Sequence, residues 1–262
     1  MAEHNAFYQK VNYYDIVFDR DVRKEVDFLL GVYHKYAGHA AQSTLDVACG
    51  PAYHAREVAR RGLRSVGIDL RPEMVEYARQ RAEADGLQLE LRSADMRRFR
   101  LKQPVDLAFI VFDGIDALVE NRDLVSHFQA MAANLTSRGV YIIDVSHPRH
   151  TSLTHYGKFH YHGQRGGTSV DIRWATNKPH VDLLTGIADT EIEIRVKEKG
   201  KQPAVIKDKA RERILSAQEI TLLAQLSKRL SVVGWYGDYN LKQPLDDTDA
   251  SQRMIAVLQR ND

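Results

Sequence analysis

Three aspartates, Asp46, Asp69 and Asp95, follow successive apolar runs, and the residues around them have the types a nucleotide site needs. In the stretch TLDVACGPAYHAREVARRG, residues 44–62, Leu45, Val47 and the small Ala48 form a run suited to a buried parallel strand. It breaks at Gly50 and Pro51 into a helical pattern, which spells strand, tight turn and helix. Such a unit aims free backbone N–H groups and the positive end of the helix above the strand's carboxyl end, where a polar or anionic nucleotide part is welcome. The second run, SVGIDL, ends on Asp69, and an acid about twenty residues past the turn can accept both hydroxyls of a ribose. Asp95 and Met96, in the loop SADM, pair a polar and an apolar side chain where a flat base could be gripped. A dinucleotide fold is the nearest rival, but its fingerprint wants Gly or Ala for close helix packing where this chain has the bulky Tyr53.

Other chemistry is less well supplied. Cys49 is the only cysteine, so an intrachain disulfide and a cysteine metal cluster are excluded, and a buried small residue is expected rather than a nucleophile. Histidines 147, 150, 155, 160 and 162 gather in a loop-to-strand passage without a carboxylate at ligand spacing, so no metal is expected. The formal charge of +2 is near neutral and the basic runs are short, which argues against nucleic acid as an obligatory partner. No apolar stretch approaches bilayer-spanning length and the N-terminus has no signal-peptide core, so no membrane partner and a cytoplasmic protein are expected.

The elements that must position these residues alternate. After the opening unit, Pro72 starts a helix that Gly86 stops, LQLEL at 87–91 reads as a third strand, and VDLAFIVFDG at 105–114 as a central fourth, covered on both faces. A helix over 123–135 and a fifth strand, VYIIDVSHP at 140–148, complete the alternation, which predicts an α/β fold with a doubly wound, mostly parallel sheet. From His150 four sheet-like segments follow without a helix, an antiparallel β insertion with one face buried and one wet. Ser216 and Glu219 form a capping box before the last helix, and RLSVVGWYG and RMIAVLQ read as closing strands, seven in the main sheet. Residues 1–40 read as helices rich in aromatics, with YYDIVF at 13–18 able to fold over a ligand. The expected domains are an N-terminal helical lid (1–40), a cofactor-binding core (41–149 and 214–262) and a substrate-covering insertion (150–213).

Taken in order, LDVACGPA, GIDLRPEMVEYAR, SADM, FIVFDGIDAL and the terminal WYGDYN and RMIAVL resemble the motifs of class I S-adenosylmethionine-dependent methyltransferases over nearly the whole chain. The resemblance implies a Rossmann-like sheet with a reversed final hairpin and S-adenosyl-L-methionine as cofactor. Ala48 and Ala52 stand where the family more often has glycine, tolerable if their backbone keeps a negative φ. By the same resemblance Asp46, Ala48 and Gly50 would line the amino-acid end of the cofactor and Asp69 would hold the ribose. Asp95 would accept from the adenine amino group, Leu70 and Met96 would flank the ring, and the Phe112 backbone would lie near the methionine moiety. Tyr14 would cover the sulfonium.

The aromatic lid and the antiparallel insertion resemble the small-molecule branch, including glycine-type and amino-sugar N-methyltransferases, which implies a small amine or hydroxyl acceptor. His147, directly after the fifth strand, is either the base or a strand cap. Trp174 and Tyr236 could wall the acceptor pocket or pack in the core, and Arg173 could meet an anionic group or face water. A nucleic-acid or protein methyltransferase and a catalytically silent cofactor-binding protein are the alternatives. A homodimer stays open.

Overall fold

The computed structural model describes residues 10–147 and 156–261. In chain order the elements are α1 (Val11–Phe18), α2 (Arg23–Ala37), β1 (Ser43–Val47), α3 (Tyr53–Arg60), β2 (Arg64–Asp69), α4 (Pro72–Ala84), β3 (Glu90–Ser93) and β4 (Val105–Ile110). There follow α5 (Asn121–Asn134), β5 (Leu135–Ser146), β6 (Phe159–Arg165), β7 (Thr168–Trp174), β8 (Ile187–Glu198), β9 (Ala204–Arg213), α6 (Ala217–Leu226), β10 (Leu230–Tyr236) and β11 (Arg253–Arg260). They form two compact units, one of residues 21–147 and 215–261, the other of residues 10–20 and 156–214.

The larger unit is built on a seven-stranded sheet in the order β10-β11-β5-β4-β1-β2-β3. Strands β1 to β5 run parallel, and β11 is antiparallel to both β5 and β10, so the final hairpin is reversed as expected. Alternation along β4 shows why it is central. Leu107 and Phe109 pack with Phe28, Leu29 and Val32 of α2, whereas Ala108 and Ile110 pack with Phe128 and Met131 of α5. Each such fully buried large side chain contributes roughly 1.5–3 kcal/mol. Helix ends follow local chemistry: Pro72 opens α4, Gly38 closes α2 at φ 82°, and the Ser216–Glu219 box is formed on α6.

Some boundaries differ from the sequence reading. The third strand is Glu90–Ser93 rather than 87–91, because pairing with β2 begins only at Val66 opposite Glu90. The fifth starts at Leu135, where it already pairs with Val105 across a bulge. The first boundary falls after Arg20 rather than at residue 40, because α2 is committed to the large sheet and only α1 belongs with the insertion.

The smaller unit is an antiparallel sheet, β6-β7-β8-β9, with α1 on one face. Ile192, Ile194 and Val196 are buried, while Glu191, Arg195 and Lys197 on the opposite face are exposed and Glu193 is half-buried, the period-two pattern of a sheet wet on one side. The Phe18 ring meets Tyr161 at 5.0 Å, and Arg165 on β6 pairs with the fully buried Asp15 and, at 2.8 Å, with Asp19. Close approach of α1 requires Gly163, where a Cβ would collide with the Ile16 carbonyl oxygen and lie 2.8 Å from Val17 Cα. Gly163→Ala should therefore destabilise this unit by roughly 1–3 kcal/mol, the usual cost of overpacking, measured as a lowered thermal-unfolding midpoint; an unchanged midpoint would show that α1 is not held closely.

Candidate active site

The carboxyl ends of β4, β1, β2 and β3 lie side by side in the larger unit, with strand order reversing direction between β1 and β4, the place where open α/β sheets bind ligands. Beyond β1 the chain turns through an exposed Ala48, a buried Cys49 and a half-buried Gly50. Ala48, Gly50 and Ala52 have φ of 55°, 52° and 59°, so the negative φ on which tolerance of the two alanines depends is not kept. A left-handed alanine costs roughly 1–2 kcal/mol, and hydrogen bonds hold it here. Cys49 N–H donates to the Ile68 carbonyl at 3.0 Å, Ala52 N–H to Cys49 at 2.8 Å and Gly50 N–H to Asp69 Oδ2 at 2.8 Å.

The other Asp69 oxygen accepts Arg71 N–H at 2.8 Å. One backbone donor per oxygen leaves lone pairs on both, the capacity a ribose diol requires. Burial raises the Asp69 carboxyl, while the backbone N–H groups of Arg71, Gly50 and Leu70 and the Arg71 charge oppose it. Leu70, 50% exposed, and Phe112, 36% exposed, offer apolar surface to a ligand at this edge. These residues fit S-adenosylmethionine: a diol acceptor between an open backbone turn and unspent apolar faces.

Asp46 does something different from lining the site. It is 2% exposed and its Oδ2 accepts Ala55 N–H at 3.2 Å, so it anchors the start of α3 beneath the turn. Burial pushes its carboxyl up to about 7 against the opposing His54 and the Ala55 N–H. Burial also pushes the Cys49 thiol well up, with Asp46 and Asp69 adding to it, which makes a poor nucleophile.

Asp95 is clasped by Arg97, whose backbone N–H and guanidinium reach both carboxylate oxygens at 2.6–3.0 Å and hold the carboxyl below its usual range. Adenine recognition there would have to share those oxygens with Arg97, which also bonds Asp123 at 2.7 Å. Met96 is half-buried, and its carbonyl accepts from Nδ1 of the fully buried His127 at 2.9 Å. His127 Nε2 accepts in turn from the Tyr141 hydroxyl at 2.6 Å, and burial drives its pKa down to about 4, so it stays neutral and ties this loop to β5.

The sequence reading missed a second group at the end of β4. Asp144, 1% exposed in β5, accepts Phe112 N–H at 2.9 Å and the Tyr239 hydroxyl at 2.7 Å, and Arg253 meets it at 2.7 and 3.0 Å. Arg253 also reaches Asp113 at 3.2 and 3.3 Å, and Asp113 accepts the Ser146 N–H. An acid inside the apolar run VYIIDVS was the available signal, since a buried charge demands partners.

His147 is 6% exposed, and its Nε2 lies 3.0 Å from the Asp246 carbonyl, which can only accept, so that nitrogen carries the proton. Tyr236 is corrected as an acceptor contact: it is 3% exposed, packed edge-on against Phe28, with its hydroxyl accepting from Lys35 at 2.8 Å. In the smaller unit, Tyr14 is half-buried with its ring 4.5 Å from Phe18. Trp174, half-buried, donates Nε1–H to Glu212 at 2.9 Å. Arg173 is corrected: it lies on the exposed face of β7 and pairs with Asp171 at 3.2 Å, next to His160. Among the described residues no three His, Cys, Asp or Glu side chains are grouped to hold a metal; His150 and His155 lie outside them. No described helix is long and apolar enough to cross a membrane.

The raised Asp46 carboxyl has a definite pH signature. Above the ordinary carboxylate value and up to about 7 the native state holds this proton more tightly than the unfolded chain, so the stability it contributes at low pH is lost as pH rises through that window. Denaturant unfolding at about pH 5 and about pH 8 should show the wild type losing stability relative to Asp46→Asn across the interval; parallel curves would mean that Asp46 is ionised throughout.

Comparison with known proteins agrees with this geometry. A family described as a methyltransferase domain matches residues 44–139. A dTDP-3-amino-3,6-dideoxy-alpha-D-glucopyranose N,N-dimethyltransferase from Streptomyces fradiae is 29% identical over 134 residues, 50% of this chain and 51% of that protein. A ubiquinone biosynthesis O-methyltransferase from Actinobacillus pleuropneumoniae is 32% identical over 111 residues, 42% of this chain and 47% of its own length. The chain thus spans about half the length of the curated relatives it matches. A solved S-adenosylmethionine-dependent methyltransferase from Clostridium acetobutylicum shares the fold at a TM-score of 0.79 and 18% identity, with 98% of this chain and 100% of that one covered. The turn after β1 and the acid closing β2 therefore lie within a segment matched by a methyltransferase domain, and the chain as a whole, its reversed final hairpin included, has the fold of that solved S-adenosylmethionine-dependent methyltransferase.

Proposed function

We propose that the protein transfers a methyl group from S-adenosylmethionine to an amine or hydroxyl of a small molecule, with an amine preferred. The observation that carries the cofactor half is Asp69, which closes β2 with each oxygen engaged by one backbone N–H and a lone pair left on each. The acceptor half is supported by the relatives, one named for an amino-sugar substrate and one for ubiquinone biosynthesis. Bound S-adenosylmethionine supplies an electrophilic methyl carbon, so the protein has mainly to align the acceptor for in-line displacement. An amine that arrives neutral needs less help from a base than a hydroxyl does.

His147 is the proposed base. Its Nε2 contact with the Asp246 carbonyl fixes the ring directly after β5. Tyr14 enters the proposal through the family resemblance, as the cover of the sulfonium, and Trp174 through its residue type, as a wall of the acceptor pocket.

Titration calorimetry should give binding of S-adenosylmethionine to the wild type, weakened by roughly 1–3 kcal/mol in Asp69→Ala, the cost of leaving polar partners unmade. Transfer of labelled methyl groups to amino sugars, small amines and phenols tests the acceptor class, and methylation confined to tRNA, DNA or protein would overturn it. His147→Ala should lower turnover about 10²–10⁴-fold with cofactor affinity nearly constant. A loss below about tenfold would leave alignment alone carrying the reaction and make His147 structural.

A further inference from the structure

Phe112 and Asp113, where β4 ends, are consecutive non-glycine residues with φ of 56° and 63°. A strained pair of this kind persists only where its surroundings over-determine it. Here they do. The Phe112 N–H is held by Asp144 Oδ2 and the Asp113 N–H by the Asp144 carbonyl, at 2.9 and 3.2 Å. Arg253 then bridges the two acids, with Nε and one terminal nitrogen on Asp144 and both terminal nitrogens on Asp113. Tyr239 donates to Asp144 from the other side, and burial with that neighbouring acid pushes its hydroxyl pKa well up, so it remains a donor.

A charge network around the buried Asp144, with Arg253 and Asp113 only partly exposed, is a poor way to gain stability, because desolvation offsets most of the attraction and apolar packing would serve as well. What this one adds is a fixed backbone. Its location gives that backbone a use. The strands lie in the order β4, β1, β2, β3, so a cofactor with its ribose on Asp69 and its base towards the loop after β3 must run its remaining part over β1 towards the end of β4.

We infer that Arg253, acting through Asp144 and Asp113, is a positioning residue that holds the Phe112–Asp113 turn left-handed and so forms the wall met by the amino-acid half of S-adenosylmethionine. The inference rests on the methyltransferase reading above. Arginine is required because a planar fork can meet two carboxylates at once, whereas a lysine ammonium is a single point charge.

The test compares two ligands on wild type, Arg253→Lys and Tyr239→Phe: S-adenosylhomocysteine, which has the amino-acid half, and 5′-methylthioadenosine, which lacks it. Arg253→Lys should weaken S-adenosylhomocysteine at least about tenfold and 5′-methylthioadenosine less than about twofold, with Tyr239→Phe showing the same selectivity at smaller size. Amide exchange at Phe112 and Asp113 should quicken in both variants while exchange at Leu107 to Ile110 does not. Equal losses for the two ligands, or no loss, or unchanged exchange at the turn would overturn the inference. Should Arg253→Lys fail to fold, Tyr239→Phe, which removes one hydroxyl, carries the same comparison. A wild type that binds neither ligand overturns the methyltransferase reading, and this inference with it; a wild type that binds both without that selectivity in the variants overturns this inference alone.

Discussion

The Asp69 carboxylate and the Gly50 N–H, 2.8 Å apart, join the ends of β1 and β2, and the geometry of the cofactor edge depends on that contact. A half-buried carboxylate needs donors, and a turn that runs through three left-handed residues has an N–H to spare because its backbone does not follow a helix or a strand. Each requirement answers the other. Asp69 lowers the cost of the strained turn, the turn keeps Asp69 at the surface end of β2, and both still face outward with capacity to bind. Asp46, one strand away, takes the inward half of the work by capping the start of α3 from below.

The loops that flank this contact are tied down by buried polar groups rather than by apolar packing alone. Neutral His127 links the Met96 carbonyl to Tyr141, and Arg253 links the Phe112–Asp113 turn to β5 and β11. In a low dielectric such bonds are directional and costly to leave unmade, so they select one backbone conformation where hydrophobic contacts would accept several. The cost falls on stability and the return is geometric. That division suits the proposed methyl transfer, because displacement at an activated methyl carbon asks for reach and direction more than for proton transfer.

The smaller unit follows a different logic. Its sheet is amphipathic, with opposite charges paired across the exposed face, as for Arg211 with Asp189 and Lys209 with Glu191, and exposed pairs of this kind contribute little to stability. Specificity of packing comes from the buried side, where Asp15 is matched by Arg165 and the bare backbone at Gly163 lets α1 lie against the strands. A helix of eight residues is too short to be stable by itself, so α1 exists because the sheet accepts it.

By itself the sequence determined the alternation of strands and helices, the doubly wound sheet, the four-stranded insertion, and the acids at the ends of β1 and β2, because period and punctuation are local properties of the chain, whereas the reversed hairpin came only with the family resemblance. It also carried Pro72, Gly38 and the Ser216 box, whose effects act within one turn of backbone. Only the tertiary structure decided which polar side chains meet. Asp46 and Asp69 look alike in sequence, yet one is sealed under α3 and the other left open; Tyr236 went into the core and Arg173 to an exposed face through the alternation of their strands. Asp144 and Arg253 stand 109 residues apart and meet because β11 runs antiparallel beside β5. Their pairing is a property of sheet register, and desolvation, which made it necessary, exists only once the strands are packed.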